Sequence, residues 1–204
     1  MNNKYSEYNV IPIGDNCTVS NSLRDIKIRN KSYPFDWVSK VDHLYDTSIM
    51  YHIDIIKKLN YEPISEIVKN YIGNAFNDDN DTKINNNTNM WFPHDEKIDV
   101  FSKYERRFNR LKEDLNQKTI FMLLTRHYYI DESTFETIMK ELLSHNKESM
   151  ICFISGTNHE YFQTKKYDKV IFKHIYYDVS KFWQYDHTHF APTIKHFYFK
   201  LFYC

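Results

Sequence analysis

Continuous apolar runs, separated by segments of helical spacing, dominate the second half of the chain, and a shorter apolar run lies near its start. Strands of a parallel sheet have this pattern, because both faces of the sheet are covered. The runs predicted to be strands are YNVIPI (8–13), TIFMLLT (119–125), MICFIS (150–155) and VIFKHIYY (170–177). Helical segments between such strands predict an α/β fold with a Rossmann-like, mostly parallel sheet flanked by helices.

The segments between these strands place apolar residues at helical spacing. The predicted helices are two short ones within 42–72, separated near Pro63, then 99–115, 133–145 and the aromatic second half of the C-terminal segment. Ser133 followed by Glu136 has the spacing of a capping box, so Ser133 is predicted to begin the helix at 133–145.

A polar run and a proline interrupt the pattern. Positions 74–89 are almost entirely Asn, Asp, Thr and Lys, which predicts a mobile loop. Pro12 cannot donate to a sheet ladder, so it is expected near a strand end or a bulge. Neither feature divides the chain, and residues 1–204 are expected to form a single domain.

Composition and charge exclude several classes of function. Lys plus Arg and Asp plus Glu both number 27, so bulk charge favours no polyanion and nucleic acid is not expected as a partner. No apolar stretch approaches the roughly 20 residues of a membrane-spanning helix, and the first residues lack the pattern of a secretory signal. We therefore expect a cytoplasmic protein that does not associate with membranes and keeps its three cysteines reduced.

Metal and cofactor patterns are missing from the sequence, which has no Cys-x-x-Cys, no His-Glu-x-x-His, no Gly-rich phosphate loop and no Gly-x-Ser-x-Gly. His94, Asp95, Asp186, His187 and His189 are metal-ligand types, but their spacing does not require a metal. We expect neither a metal nor a cofactor.

Cys17 is the strongest candidate for chemistry. It follows the first predicted strand and the turn at Gly14, and the capping types Asp15 and Asn16 precede it, so it is expected in the first turn of a helix. The amides and dipole of a helix N-terminus stabilise a thiolate, and the amides around Asn16 can also hold an oxyanion. The alternative is a small buried side chain, and position alone favours neither interpretation.

A thiol nucleophile needs a base, and two histidines compete for that role. His94 lies in WFPHD, with Asp95 beside it. His189 lies in YDHTHF, three residues after Asp186, a spacing that resembles the last block of SGNH hydrolases. The sequence leaves both open as partners of Cys17.

The segment KSYPFDW (31–37) places a carboxylate among apolar residues. A buried carboxylate needs a partner, and Asp36 is expected to pair with an arginine such as Arg106 or Arg107. A structural ion pair is the favoured interpretation, and orientation of the catalytic base is the alternative.

The order of these motifs resembles a known family. IGDNCTVSNSLRDIKIRNKSYPFDWV, FPHD, YERRFNRL and TIFMLLTR follow one another between residue 8 and about residue 126. This order is similar to the domain-of-unknown-function family labelled as papain-like cysteine peptidases, which occurs in bacteria and large DNA viruses. The resemblance implies Cys17 as nucleophile and His94 as its partner. Asn, Lys, Ile and Tyr are abundant, which is typical of coding in an A+T-rich genome, and with the resemblance this suggests a viral protein of the host cytoplasm. The predicted sheet is nevertheless Rossmann-like and does not have the two lobes of papain.

Two hypotheses of function follow. The first is a cysteine-dependent hydrolase, papain-like in chemistry, acting on a peptide or another acyl substrate. The second is a catalytically inactive protein that binds a host or cellular partner in an aromatic groove near Trp37, Trp91 and Trp183.

Overall fold

Parallel strands form the central sheet of the protein. The computed structural model describes residues 7–14, 17–40, 48–125, 130–155, 167–174, 191–192 and 194–196. Across the sheet the strands lie in the order β1 (Asn9–Gly14), β5 (Thr119–Thr125), β6 (Met150–Ser155) and β7 (Val170–His174). Each neighbouring pair is parallel, so the predicted α/β fold with a mostly parallel sheet flanked by helices is confirmed.

Helices connect these strands. Within the described ranges they are α1 (Thr18–Asp25), α2 (Ser48–Lys58), α3 (Ile64–Ile72), α4 (Val100–Leu115) and α5 (Glu132–Ser144). The helices predicted within 42–72 and at 99–115 and 133–145 are confirmed over these bounds. No helix in the described part of the chain is both long and apolar enough to cross a membrane.

Both faces of the sheet are covered, as the alternation of side chains along β5 shows. Phe121 and Leu123 pack into the larger core, to which helices α2 to α5 contribute. The alternate residues Ile120, Met122 and Leu124 face the second core. That core also contains Val19 and Leu23 of α1 and Ile194. A strand that serves two cores has no polar face, which is why 120–124 is apolar and only the buried threonines at 119 and 125 are polar.

Pro12 lies inside β1, and the prediction of a strand end or bulge was wrong. It is in register with Met122 of β5. Asn9 donates its N–H to the Lys118 carbonyl at 2.9 Å, so the N–H groups at 9, 11 and 13 point toward β5 and the alternate positions point away. Among the described strands β1 pairs only with β5, so the missing donor of Pro12 falls on the open side of the strand.

The N-cap of helix α5 lies two residues earlier than predicted. Asp131, and not Ser133, is the N-cap residue, and its Oδ1 accepts the backbone N–H of Thr134 at 2.8 Å. The Ser133 hydroxyl donates to the same carboxylate oxygen at 2.7 Å. A carboxylate at the N-cap also meets the positive end of the helix dipole, which explains why Asp131 is the stronger cap.

The polar run at 74–89 is not a loop throughout. It contains β3 (Ile84–Asn85), which joins β4 (Met90–Trp91) and β2 (Ser39–Lys40) in a small antiparallel sheet. Asn85 is fully buried, and its Nδ2 donates to the carbonyls of Asn70 at 2.9 Å and Tyr71 at 3.1 Å near the end of α3. The Asn85 side chain can be buried because its amide donates hydrogen bonds to carbonyls at the C-terminal end of a helix. The polar composition of the run alone did not indicate a buried residue.

Candidate functional site

Cys17 lies at the carboxyl edge of the sheet, between the end of β1 and the first turn of α1. It is the N-cap residue with helical dihedral angles (φ −68°, ψ −5°), and its carbonyl accepts the N–H of Asn21 at 2.9 Å. Its side chain is half-buried, while buried Val19 and Leu23 fix the helix against the sheet. Cys17 therefore lies at the N-terminal end of α1, one position before the first helical residue. Asp15 and Asn16 lie outside the described residues.

Cys152 provides a contrast within the same protein. It lies in β6 with a relative exposure of 1%, and burial raises the pKa of its thiol to about 12. Because the thiolate is the reactive form of cysteine, Cys152 is expected to be inert in the folded protein.

His94 lies on a surface that also includes the far end of α1. Its exposed imidazole meets the ring of Trp37 edge-on, with 5.6 Å between the ring centroids. The guanidinium carbons of Arg24 and Arg29 lie 5.6 Å and 5.1 Å from the centre of the same indole. Arg24 follows Cys17 by seven residues, which is about 10 Å along a helix axis. The described contacts thus place His94 at the Trp37 end of α1, whereas Cys17 lies at the other end.

Asp95 is bound to α4. The carboxylate, 1% exposed, accepts hydrogen bonds from the Lys103 ammonium and from the Tyr104 hydroxyl at 2.7 Å. Its backbone carbonyl accepts the Lys83 Nζ at 2.8 Å. These bonds fix the loop that carries His94. The Asp95 carboxylate is engaged by Lys103 and Tyr104.

Replacing Asp95 by Asn is expected to lower the free energy of unfolding by about 1–3 kcal/mol, because the buried carboxylate bonds to Lys103 and Tyr104 are lost or weakened. The alkylation rate of Cys17 should not change. Urea unfolding and mass-spectrometric alkylation measure the two effects, with the exposed Glu96→Gln as a matched control. A slower reaction of Cys17 in a stable Asp95→Asn protein would contradict this structural role.

Asp36 forms the predicted buried ion pair, but with another arginine. Its carboxylate binds the Arg29 guanidinium, the Ser20 hydroxyl at 3.0 Å and the Tyr33 N–H at 2.9 Å. Burial raises the pKa of Asp36 in spite of the opposing effect of Arg29. The carboxylate thus ties the 31–37 segment to α1, which carries Ser20.

The two arginines that the sequence favoured as partners of Asp36 have different positions. Arg106 is exposed, while Arg107 is 7% exposed and lies over the Tyr104 ring at 5.1 Å. Neither forms the ion pair, because Arg29 reaches the carboxylate directly from the turn after α1.

A second buried carboxylate fastens the same segment to α4. Asp114 accepts Lys31 Nζ at 2.7 Å and the Tyr33 hydroxyl at 2.7 Å, and Arg110 donates to the Ser32 carbonyl at 2.7 Å. Asp114 was not predicted, because the periodicity of α4 marks its apolar face and not the partners of its acidic residues. The Lys-x-Tyr pattern alone did not indicate a distant acid.

His52 is a further residue that the sequence did not single out. It is fully buried on α2 and stacks on Phe35 with 4.3 Å between the ring centroids. Neither ring nitrogen has a hydrogen-bond partner among the described residues. Burial, with a smaller contribution from Lys40, lowers the pKa of His52 to about 3, so the imidazole is neutral in the folded protein.

The remaining predicted site residues cannot be placed against Cys17. Asp186 and His189, together with His187 and Trp183, lie outside the described residues. Trp91 is 41% exposed on β4. Within the described ranges, no three His, Cys, Asp or Glu side chains are grouped so that they could hold a metal ion.

Comparisons with known proteins add no relatives. No protein-family model matches the chain, and neither the curated proteins nor the solved structures contain a significant match. The fold and the site therefore define an α/β protein with a half-buried cysteine at the carboxyl edge of a parallel sheet.

Proposed function

We propose that this protein is a cysteine-dependent hydrolase, similar in chemistry to papain-like cysteine peptidases, in which Cys17 attacks an acyl carbon. The observation that carries the proposal is the position of Cys17, half-buried at the N-terminal end of α1. The carboxyl edge of a parallel sheet is where α/β proteins bind their ligands. A reducing compartment such as the cytoplasm would keep the thiol active.

The proposed reaction has two steps. A histidine removes the thiol proton, and the Cys17 sulfur forms a bond to the acyl carbon of a peptide or related substrate. The leaving amine departs with that proton, which leaves a thioester on Cys17. Water, deprotonated by the same histidine, then attacks the thioester, releases the acid and restores the thiol. Amides at the start of α1 would stabilise the oxyanion in both steps.

His94 and His189 are both proposed as the base. His94 is exposed and contacts the Trp37 ring, so its imidazole is accessible to a substrate. Its described contacts lie toward the C-terminal end of α1, whereas Cys17 lies at the N-terminal end. His189 keeps the Asp186 spacing in the sequence. Variants of each decide between them.

The test is the rate of Cys17 alkylation by iodoacetamide between pH 4 and 9, with modified sites mapped by mass spectrometry. Native Cys17 is expected to react at pH 6–7 faster than in urea-unfolded protein, where an ordinary thiol has a pKa of about 8.5. His94→Ala or His189→Ala should remove this advantage and so identify the base. Cys152 is the internal control and should react only after unfolding, because its pKa is raised.

A catalytically inactive binding protein is the second candidate, and one cluster favours it. The half-buried Trp37 ring contacts the guanidinium groups of Arg24 and Arg29 and the exposed imidazole of His94. These side chains form a surface that a partner protein could bind. If Cys17 is unreactive until the protein unfolds, the hydrolase proposal fails and this surface becomes the functional one.

A further inference from the structure

An accessible face of α1 begins at Cys17 and ends at Arg24. Cys17 has helical dihedral angles, and an α-helix has 3.6 residues per turn, so Cys17, Asn21 and Arg24 share one face. Cys17 and Asn21 are half-buried and Arg24 is exposed, whereas Val19 and Leu23 on the other side of the helix are buried. We call the face formed by Cys17, Asn21 and Arg24 the α1 strip.

Arg24 ends the α1 strip with an exposed cation that lies on an aromatic ring. Its side chain is 55% exposed, and its guanidinium carbon lies 5.6 Å from the centre of the Trp37 indole. Its Nε is 3.9 Å from Oδ1 of Asp25, which is too long for a hydrogen bond. An ion pair of this length between partly exposed groups contributes little. The N–H donors of Arg24 are therefore accessible to a ligand.

Trp37 is held beside α1 by the buried bonds of its neighbour Asp36. The Asp36 carboxylate accepts the Ser20 hydroxyl of α1 at 3.0 Å and binds the Arg29 guanidinium. Arg29 lies 5.1 Å from the same indole, but its side chain is only 11% exposed and is engaged by Asp36. Of these two arginines, Arg24 is the one that a ligand can reach. Because its ring contact restricts it in advance, Arg24 loses less conformational entropy on binding.

We propose that the α1 strip binds the substrate of Cys17 and that Arg24 recognises an acidic side chain of a peptide. A planar guanidinium can donate to both oxygens of a carboxylate. Arg24 follows Cys17 by seven residues, about 10 Å along the helix axis, and helical side chains lean toward the N-terminus. An extended peptide advances about 3.3 Å per residue, so the acidic residue lies about two or three residues from the bond that Cys17 attacks. This inference rests on the proposed function and specifies its substrate class.

Peptide electrophiles that alkylate Cys17 test this recognition without turnover. Iodoacetyl tripeptide amides extend from the reactive carbon toward the peptide C-terminus, and acetyl tripeptide chloromethyl ketones extend toward the N-terminus. Each reagent has alanine at every position except one Glu, placed second or third from the reactive carbon, and is matched with a Gln reagent. Mass spectrometry measures the second-order rate of labelling at Cys17 at constant ionic strength. In at least one matched pair the Glu reagent is expected to react about three to ten times faster, the advantage of a partly exposed charged hydrogen bond.

Variants of two neighbouring cations show whether Arg24 causes the preference. Arg24→Gln should remove the preference for Glu, and Arg24→Lys, which keeps the charge but not the planar fork, should retain part of it. Lys27→Gln is the matched control, because it removes the same charge from an exposed position in the turn after α1. It should keep the preference of the parent.

Iodoacetamide, which carries no peptide, separates this inference from the hydrolase proposal. If folded Cys17 reacts with iodoacetamide as the hydrolase proposal requires but every Glu and Gln pair labels it equally, Arg24 does not select the substrate and only this inference fails. The same conclusion follows if Arg24→Gln keeps the preference, or if Lys27→Gln loses it as fully as Arg24→Gln. If Cys17 reacts with iodoacetamide only after unfolding, both proposals fail.

Discussion

Replacing Asp36 by Ala is expected to lower the free energy of unfolding by about 3–5 kcal/mol, the cost of breaking a buried ion pair from one side. The change leaves the guanidinium of Arg29, only 11% exposed, without its carboxylate. It also removes the acceptor of the Ser20 hydroxyl and the Tyr33 N–H. Urea unfolding followed by circular dichroism measures the loss.

Two controls separate this effect from loss of charge in general. Asp78→Ala breaks the surface pair with Lys97, in which Asp78 is 96% exposed, and should leave stability unchanged. The double variant Arg29→Met with Asp36→Leu replaces the buried pair by apolar side chains and should recover part of the loss. The rest remains because the Ser20 hydroxyl and the Tyr33 N–H still lack the Asp36 acceptor. An Asp36→Ala protein as stable as the parent would show that the pair contributes nothing to the fold.

Acid is expected to destabilise the protein through His52. The pKa of this imidazole falls from 6.5 to about 3 on folding, so below pH 6.5 the unfolded chain binds a proton that the folded protein does not. The free energy of unfolding therefore decreases as the pH falls from 6.5 toward 3, by about 1.4 kcal/mol per pH unit. Above pH 6.5 the imidazole is neutral in both the folded and the unfolded chain, so this loss of stability is absent there.

His52→Leu should remove this part of the acid sensitivity. It also eliminates two unpartnered buried nitrogens, and a gain of about 1–3 kcal/mol at pH 7 is expected for that reason. Urea unfolding at several pH values between 3.5 and 7.5 measures both effects. His196→Leu, at an exposed position, is the control and should keep the pH dependence of the parent. An identical pH slope in His52→Leu would exclude His52 as its source.

The strands of the sheet could be predicted because their environment is uniform. The runs at 119–125 and 150–155 match β5 and β6 residue for residue. Both strands are covered on two faces, so every position is apolar except the buried Thr119, Thr125 and Ser155 at the strand ends. The strand β7 is described only to His174, and positions 175–177 of its predicted run lie outside the described residues.

Partners of polar residues could not be predicted in the same way. Arg29 binds Asp36 across a turn, and no periodicity in the sequence indicates this contact. Arg106 and Arg107 lie on the helix α4, which its periodicity predicts. Asn85 has the composition of a loop residue but is buried against α3. In each case the choice depends on which backbone segments meet in space, and local spacing does not contain that information.

Of the candidate site, only the position of Cys17 could be predicted. The strand before it and the helix after it are both determined by local sequence. A base for the proposed reaction would come from elsewhere in the chain, and the ten histidines differ little in their local patterns. The neighbour of His94, Asp95, is engaged by Lys103 and Tyr104, which adjacency in sequence did not indicate.

The position of Pro12 also bears on how the protein avoids aggregation. An edge strand with a complete row of N–H and C=O groups can recruit a strand from another molecule and extend the sheet between chains. On the side of β1 that faces away from β5, where none of the described strands pairs with it, Pro12 supplies a ring where the middle donor would be. A strand that docked there would lose a ladder bond at its centre, so intermolecular pairing along β1 is disfavoured.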